Sequence, residues 1–372
     1  MMRALVRGTC ALAATAGITT AGAQVSDPQA GAGVVMESYK FGSAQLTNID
    51  KISLFTVPIV ARANLLPQLD LTVNGAFASA KLTRPNGTST SLSGLTDTEI
   101  RLTYTTMGDR VRLSAVGLAP TGKSKLSADE MDVMGVIAAD LLPFTISNWG
   151  SGGGLGVNAA VAMPLSDRST LGVSTGFVAA RKYEPLSATS FAYRPGNQLQ
   201  VRAAADRTFG ASAKGSLQVA YLHYSQDQNA GVNFYQAGDR LQASSSLAFA
   251  AGANGTGIVY LGYLRRGEGK YTSVVRVTPA QDLVYAGTAF RRPMGGNVLV
   301  PSLDVRLLGN ESGVDQGRTI SAGLGVEIPR NSFEIYPQAK ARFGQLTMRS
   351  SQSSNFTGFE VGLTIRSRML SQ

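Results

Sequence analysis

One cysteine, one histidine and one tryptophan are all that 372 residues contain of those types. A structural zinc site needs several Cys or His ligands and a disulfide within the chain needs a second thiol, so neither is open here. Charge is also scarce, at 16% of residues, against ~25% in ordinary soluble domains. No apolar run beyond the N-terminus reaches the ~18 residues of a membrane-crossing helix. Disorder is excluded by a hydrophobic share of 44% and by the lack of any long block of like charge. What the chain does have is glycine, 42 of them. Together these features point to a Gly-rich, helix-poor, all-β protein.

Residues 1–23 read as a secretory signal peptide. Arg3 and Arg7 open it, small and apolar residues run from Cys10 to Ile18, and Ala21-Gly22-Ala23 forms a small-x-small cleavage site. The expected mature chain, 24–372, is a single domain that starts at Gln24 and has no thiol. Losing Arg3 and Arg7 lowers the formal net charge from +10 to +8.

Period-two alternation dominates the rest. Ile100, Leu102 and Tyr104 alternate with Glu99, Arg101 and Thr103. Leu199, Val201 and Ala203 alternate with Gln200 and Arg202, and Phe359, Val361, Leu363 and Ile365 alternate with Glu360, Thr364 and Arg366. Short turns fall near 64–68, 107–110, 164–168, 209–214, 251–256, 293–297 and 329–332. Longer polar connections fall near 42–48, 83–96, 119–150, 183–196, 226–238, 267–280, 309–317 and 346–355. These separate about sixteen strands, from Val34–Phe41 to Phe356–Arg366, or fourteen if two weak segments fail. Short and long connections taking turns are the signature of a transmembrane antiparallel β-barrel with tight periplasmic turns and long outer loops. A soluble sandwich also alternates, but its strands are usually ~5–6 residues, whereas these run to ~10 or more. A propeller would show a repeat of ~40–45 residues, and none is present. The expected place is the outer membrane of a diderm bacterium. The interfacial aromatic girdle would rest on Tyr104, Tyr183, Tyr221, Tyr260, Tyr285, Phe343 and Phe359. The chain ends on Ser367–Gln372 rather than on an aromatic residue.

The polar faces carry both signs. Glu99, Asp206, Asp304, Glu327, Glu334 and Glu360 are expected in the lumen with Arg101, Arg112, Arg202, Arg306, Lys340, Arg342 and Arg366. A ring of one sign would select ions by charge, whereas a mixture fits ion pairs that crosslink the wall. Residues 129–144 differ from their surroundings. Met131, Met134, Ala138, Leu141 and Leu142 recur at helical spacing, Ser127 and Glu130 form a capping box, and Pro143 ends the run. One short loop helix is therefore expected in the longest loop. With Ile137, Phe144, Ile146 and Trp149 it either seals the barrel mouth or offers an adaptable apolar surface on the solute path.

Other motifs carry less. Gly152–Gly154 lacks the Lys-Ser/Thr of a phosphate loop and leads into a strand, so tight backbone approach explains it better. Gly122-Lys123-Ser124 has no upstream glycine partner. His223 and Ser225 share a strand face, as a membrane esterase or phospholipase would need, but no third group or oxyanion site is visible. An enzyme is not expected, nor is any cofactor or metal. No Lys/Arg cluster interleaves with aromatics, so nucleic acid is not a partner. The excess positive charge suits anionic headgroups of outer-membrane lipid.

Gly94-Leu95-Thr96-Asp97-Thr98-Glu99-Ile100-Arg101-Leu102 and Pro120-Thr121-Gly122-Lys123 resemble segments of the outer-membrane transport proteins linked to aromatic degradation, the meta-pathway phenol type. Those proteins are related to the long-chain fatty-acid channels. The resemblance implies passive uptake of small hydrophobic or aromatic solutes, in one form through a lateral opening in the wall, and insertion by the barrel-assembly machinery. Only ~10 residues separate the expected cleavage site from the first strand, so any plug has to come from the 119–150 loop. A non-transport surface or scaffold barrel is the alternative.

Overall fold

Strands that are apolar on one side and polar on the other bury both faces only if the sheet rolls up, and in hydrocarbon the roll must close so that no backbone edge is left over. The computed structural model shows that closure. It describes residues 30–188, 190–252, 255–272, 277–310, 315–347 and 353–367. The leader expected over 1–23, Cys10 included, and the residues beyond Ser367 lie outside the described residues.

From the turn end the chain rises through β1 (Ala30–Phe41), passes a one-turn helix α1 (Ala44–Thr47) and descends β2 (Lys51–Leu66). It rises again on β3 (Leu69–Thr83), then returns as two pieces, β4 (Ser89–Leu95) and β5 (Thr98–Thr106). Next come β6 (Val111–Ala119), helix α2 (Ala128–Ile137), β7 (Gly154–Ser166), β8 (Ser169–Ala180), a short β9 (Tyr193–Arg194), β10 (Gln198–Phe209) and β11 (Ala213–Tyr224). After a loop hairpin of β12 (Gln226–Asn229) and β13 (Val232–Gln236) follow β14 (Arg240–Ala251), β15 (Gly255–Arg266), the short β16 (Gly269–Tyr271) and β17 (Val277–Thr278), and β18 (Gln281–Met294). The last four are β19 (Asn297–Asn310), β20 (Asp315–Pro329), β21 (Phe333–Thr347) and β22 (Ser353–Ser367).

Every wall strand pairs antiparallel with the next, and β22 pairs with β1 from Gly31↔Arg366 to Phe41↔Phe356. Counting β4 and β5 as one interrupted strand, the ring has 16. Most strands run 12 to 16 residues. At ~3.3 Å per residue that is long enough to cross a bilayer at a tilt. Outward positions such as Val34, Met36, Phe77, Leu102, Val157, Val201, Leu261, Phe343 and Val361 are exposed and apolar, as a lipid-facing belt requires. No helix among the described residues is long and apolar enough to cross a membrane; the crossing is made by strands. The protein is thus an outer-membrane β-barrel, with both ends of its ring at the short-turn, periplasmic side.

Several expectations need correction. The segment 83–96 is not a polar loop: Ser89–Leu95 pairs with β3 from Phe77↔Leu95 to Thr83↔Ser89. Its Ser/Thr-rich run disguises a strand whose inward Leu92 is buried. The fourteen-strand option is not realised. Among the described residues there are two loop helices rather than one, and α2 stops at Ile137, well short of Pro143. The girdle also splits. Tyr104, Tyr221, Phe343 and Phe359 face out and are exposed. Tyr260 and Tyr285 alternate inward, where each lies over a glycine of the neighbouring strand, Gly287 and Gly262 respectively. Tyr183 is in an outer loop, ring to ring with Tyr193 at 5.8 Å. Strand parity outweighs the general preference of tyrosine for the interface.

Above the rim, β17, β16, β13, β12 and β9 form a second small sheet. Its buried Asp227 accepts hydrogen bonds from Tyr193 Oη and Gly196 N–H, both at 2.6 Å.

Candidate functional site

The break between β4 and β5 organises the mouth. β3 runs uninterrupted, but opposite Gly75 and Ala76 the partner strand has three residues, Thr96, Asp97 and Thr98. This one-residue bulge re-aims its side chains. Thr96 N–H donates to Ala76 O at 2.8 Å and Thr96 Oγ1 accepts from Ala76 N–H at 3.0 Å. Asp97 swings out of the ladder and receives both stems of the 120–153 loop. One carboxylate oxygen accepts from Gly122 N–H at 3.1 Å, and the other from Ser151 N–H and Ser151 Oγ, both at 2.7 Å. Asp97 N–H in turn donates to Trp149 O at 2.8 Å. Glycine is required at 122, because a Cβ there would overlap Trp149 O and lie 2.6 Å from Asp97 N. Gly152 and Gly153 have φ of +79° and +84°, which side-chain-bearing residues rarely adopt. Tight backbone approach is indeed what the three-glycine run serves.

Pinned at both stems, the loop turns inward. Ser127 caps α2: its Oγ accepts from Glu130 N–H at 3.3 Å and its N–H donates to Glu130 Oε2 at 3.0 Å. Lys123 Nζ reaches Glu130 Oε1 at 2.5 Å. Burial works to raise the Glu130 pKa, but the Lys123 and Ser127 hydrogen bonds and the Lys123 charge outweigh it and hold the carboxyl below its ordinary value. Arg84 Nη2 pairs with Asp132 at 2.6 Å, and Asp140 pairs with Arg266 of β15 at 3.2 Å. The loop therefore spans the mouth, from the β3–β4 wall to the β15 wall.

Met131, Met134, Ile137, Leu141, Leu142 and Trp149 are buried in one apolar cluster, with Phe144 and Ile146 packed against it. The wall contributes Tyr39, Phe41, Ile52, Leu54, Leu82, Leu92, Leu283, Leu308 and Phe356. In this conformation the cluster is a stopper, not an open surface. Val133, which the helical spacing did not single out, is fully buried as well. Trp149 Nε1 donates to Ala78 O at 3.2 Å. The tip of the loop reaches the strand that closes the ring: Thr145 N–H donates to Glu37 Oε2 at 2.7 Å, and Phe144 meets Tyr39 edge-on at 5.0 Å.

Glu37 belongs to a buried ionic knot. Arg342 Nη1 pairs with it at 3.2 Å, and the same guanidinium donates to Tyr39 Oη and closes tightly on Glu360. Lys340 Nζ adds a contact to Glu360 at 3.3 Å. Glu37 escaped notice in the sequence although it holds an inward place in the Val34–Phe41 alternation. Arg291, bonded to Glu327, was missed too. Strand parity puts the anticipated lumenal charges Glu99, Arg101, Arg112, Arg202, Asp206, Asp304, Arg306, Glu334, Lys340, Arg342, Glu360 and Arg366 on the inner face. Arg101 pairs with Glu99 at 2.9 Å, Lys214 lies 3.7 Å from Asp206, and the Arg366 guanidinium sits 5.6 Å from the Tyr336 ring centre.

His223 and Ser225 take separate partners, and His223 has an acidic neighbour that the sequence did not single out. His223 Nδ1 lies 2.9 Å from Asp239 Oδ1, whose other oxygen accepts from Tyr221 Oη. Ser225 Oγ instead accepts from Asn197 N–H at 2.8 Å. Among the described residues no group of three or more His, Cys, Asp or Glu could hold a metal ion.

Fold and site together define the class: a closed outer-membrane barrel stopped by its own inward-folded loop. No family model and no curated protein matches the chain. Solved structures similar to it include a bacterial polysaccharide outer membrane secretin, at 9% identity and a TM-score of 0.46, covering 91% of this chain and 98% of that one. The outer membrane channel DcaP of Acinetobacter baumannii is 9% identical with a TM-score of 0.43, covering 91% and 96%. The COG4313 outer membrane channel from Pseudomonas putida F1 is 10% identical with a TM-score of 0.38, covering 93% and 98%.

Proposed function

We propose that the protein is a channel for the passive uptake of small hydrophobic or aromatic solutes, of the kind served by the aromatic-degradation outer-membrane transporters. The observation that carries this reading is the way the stopper is built. It is apolar and rich in methionine, a side chain that repacks at low cost, and both its stems hang on the single carboxylate of Asp97. A loop meant only to seal a scaffold would gain nothing from so concentrated an anchorage. The neighbouring wall supplies a route. Among the described residues β4 pairs with β3 alone, and its other edge is met by the loop itself, with Lys123 N–H donating to Leu95 O at 3.2 Å. Where the loop moves, both the mouth and this edge open, and an apolar solute could leave sideways into the bilayer.

Proteoliposome permeation of phenol, before and after deletion of residues 127–149, tests the reading. Slow entry in the full chain and faster entry after deletion are expected. Entry in neither form rejects the channel in favour of a sealed surface barrel.

A further inference from the structure

The lumenal charges are not evenly compensated. On β18 to β22 and β1, the carboxylates close onto cations: Glu327 onto Arg291, Glu360 onto Lys340 and Arg342, Glu37 onto Arg342. The wall of β5 to β10 is different. Arg202 and Arg112 stand on one hydrogen-bonded row of the sheet, joined through Ser174 and Ala160. Between two guanidinium groups there is thus only a hydroxymethyl and a methyl. The parallel row beside it reads Gln200, Gly176, Asn158, Ser114 and Thr103. The charged neighbour that acts on Arg202 is a third cation, Arg101, whose own carboxylate is Glu99. Arg202 Nε is buried and makes no hydrogen bond. Among the described residues no carboxylate pairs with Arg202 or Arg112.

Arg202 is half-buried, and a buried N–H donor left unfilled is costly. On this wall Arg101, Arg112 and Arg202 face Glu99 and Asp206, and Asp206 lies 3.7 Å from Lys214 of β11; the cationic excess around Arg202 and Arg112 makes a local positive field inside a low-dielectric tube, where field lines concentrate. We propose that this wall is a carboxylate station in the lumen, with Arg202 as its principal ligand and Arg112 setting the field with it. The guanidinium fork matches a carboxylate, and the adjoining hydroxyl and amide row offers further donors. Ala160 and Ser174, the small residues between the two arginines, leave room for a flat apolar body. The inference rests on the channel reading and narrows its solute to a small amphiphile with one negative head, an aromatic carboxylate rather than its neutral or cationic analogue.

The test reads the lumen without needing passage through the stopper. Ser174→Cys is made in the full chain on a Cys10→Ser background, and its modification rates by an anionic (sulfonatoethyl) and a cationic (trimethylammonioethyl) methanethiosulfonate are compared, each normalised to a free thiol. A preference for the anionic reagent of about tenfold or more is expected. Adding Arg202→Gln and Arg112→Gln should bring the ratio to about one, and millimolar benzoate, unlike benzyl alcohol, should slow the reaction. A ratio at or below one in the parent, or one that the two Arg substitutions leave unchanged, overturns the proposal. Ser114→Cys provides a second reporter on the same wall should Ser174→Cys not fold. In proteoliposomes, benzoate should enter faster than benzyl alcohol or benzylamine. Entry of none of the three rejects the channel, while the thiol ratio still decides the charge preference.

Discussion

Asp97→Ala removes the acceptor for Gly122 N–H, Ser151 N–H and Ser151 Oγ while leaving the barrel ladder untouched. A hydrogen bond to a charged group contributes ~1.5–3 kcal/mol. The three share one carboxylate and will not add fully, so ~3 kcal/mol is a fair lower figure for the docking free energy lost. At ~1.4 kcal/mol per tenfold, the undocked population of the loop should rise roughly a hundredfold, as a local opening rather than global unfolding. The molecule carries its own reporter: Trp149 is the only tryptophan and is 1% exposed. In the parent its emission should be blue-shifted and poorly quenched by acrylamide. Asp97→Ala should red-shift it, raise quenching and speed amide exchange at Gly122 and Ser151 by about the same hundredfold, and Asp97→Asn, which keeps one acceptor oxygen, should fall between. Unchanged Trp149 emission and unchanged exchange in Asp97→Ala would show that the loop is held by its apolar contacts alone, and the single-anchor reasoning would fail.

Gly122→Ala places a methyl against Trp149 O and Asp97 N and should undock the loop at least as fully as Asp97→Ala, whereas Gly31→Ala, whose nearest neighbour would be 3.6 Å away, should leave Trp149 emission as it is. Arg342→Met strands Glu37 and Glu360 in the interior and should cost about 3–5 kcal/mol, seen as a lower temperature for the folded-to-unfolded shift in SDS gels; no shift would remove the ionic knot from the stability account. Because the folded pKa of Glu130 is held below its ordinary 4.5, its stabilisation of α2 is complete above that pH and fades as pH falls through the folded value. Acid should therefore loosen the loop to proteases, and Glu130→Gln should remove that dependence. Asp227→Ala leaves Tyr193 Oη and Gly196 N–H without their acceptor in a buried place, at ~1–3 kcal/mol, and should speed exchange in the outer sheet without moving Trp149.

Much of the barrel was legible because a strand that faces lipid on one side and water on the other has to alternate, and each short turn had its own Gly, Pro, Asn or Asp marker. Gly295-Gly296, both at positive φ, is such a turn. The stopper was half legible. Its capping box and apolar spacing are local features, so Ser127, Glu130, Met131 and Met134 could be found one-dimensionally. What they pack against could not, since Tyr39, Leu283 and Leu308 come from strands far apart in the chain. β4 is hard to see in the sequence because Ser89–Leu95 has one large inward residue, Leu92, among serines and threonines that read as loop. Tyr260 and Tyr285 depart from the girdle because parity, set by register, decides their direction over residue type. The role of Asp97 also lay outside local pattern: its partners are 25 and 54 residues away.

Glu37 sits on the first strand of the ring, Arg342 and Glu360 on the last two, and the backbone of Thr145 joins them from the loop tip. The latch for the stopper is thus assembled across the seam where the chain's two ends meet, and it does not exist until β22 has zipped onto β1. This imposes an order on biogenesis. A barrel still gaping at its seam has no seat for the tip of its cork, so in a folding time course exchange protection of the Thr145 amide should follow ring closure and never precede it.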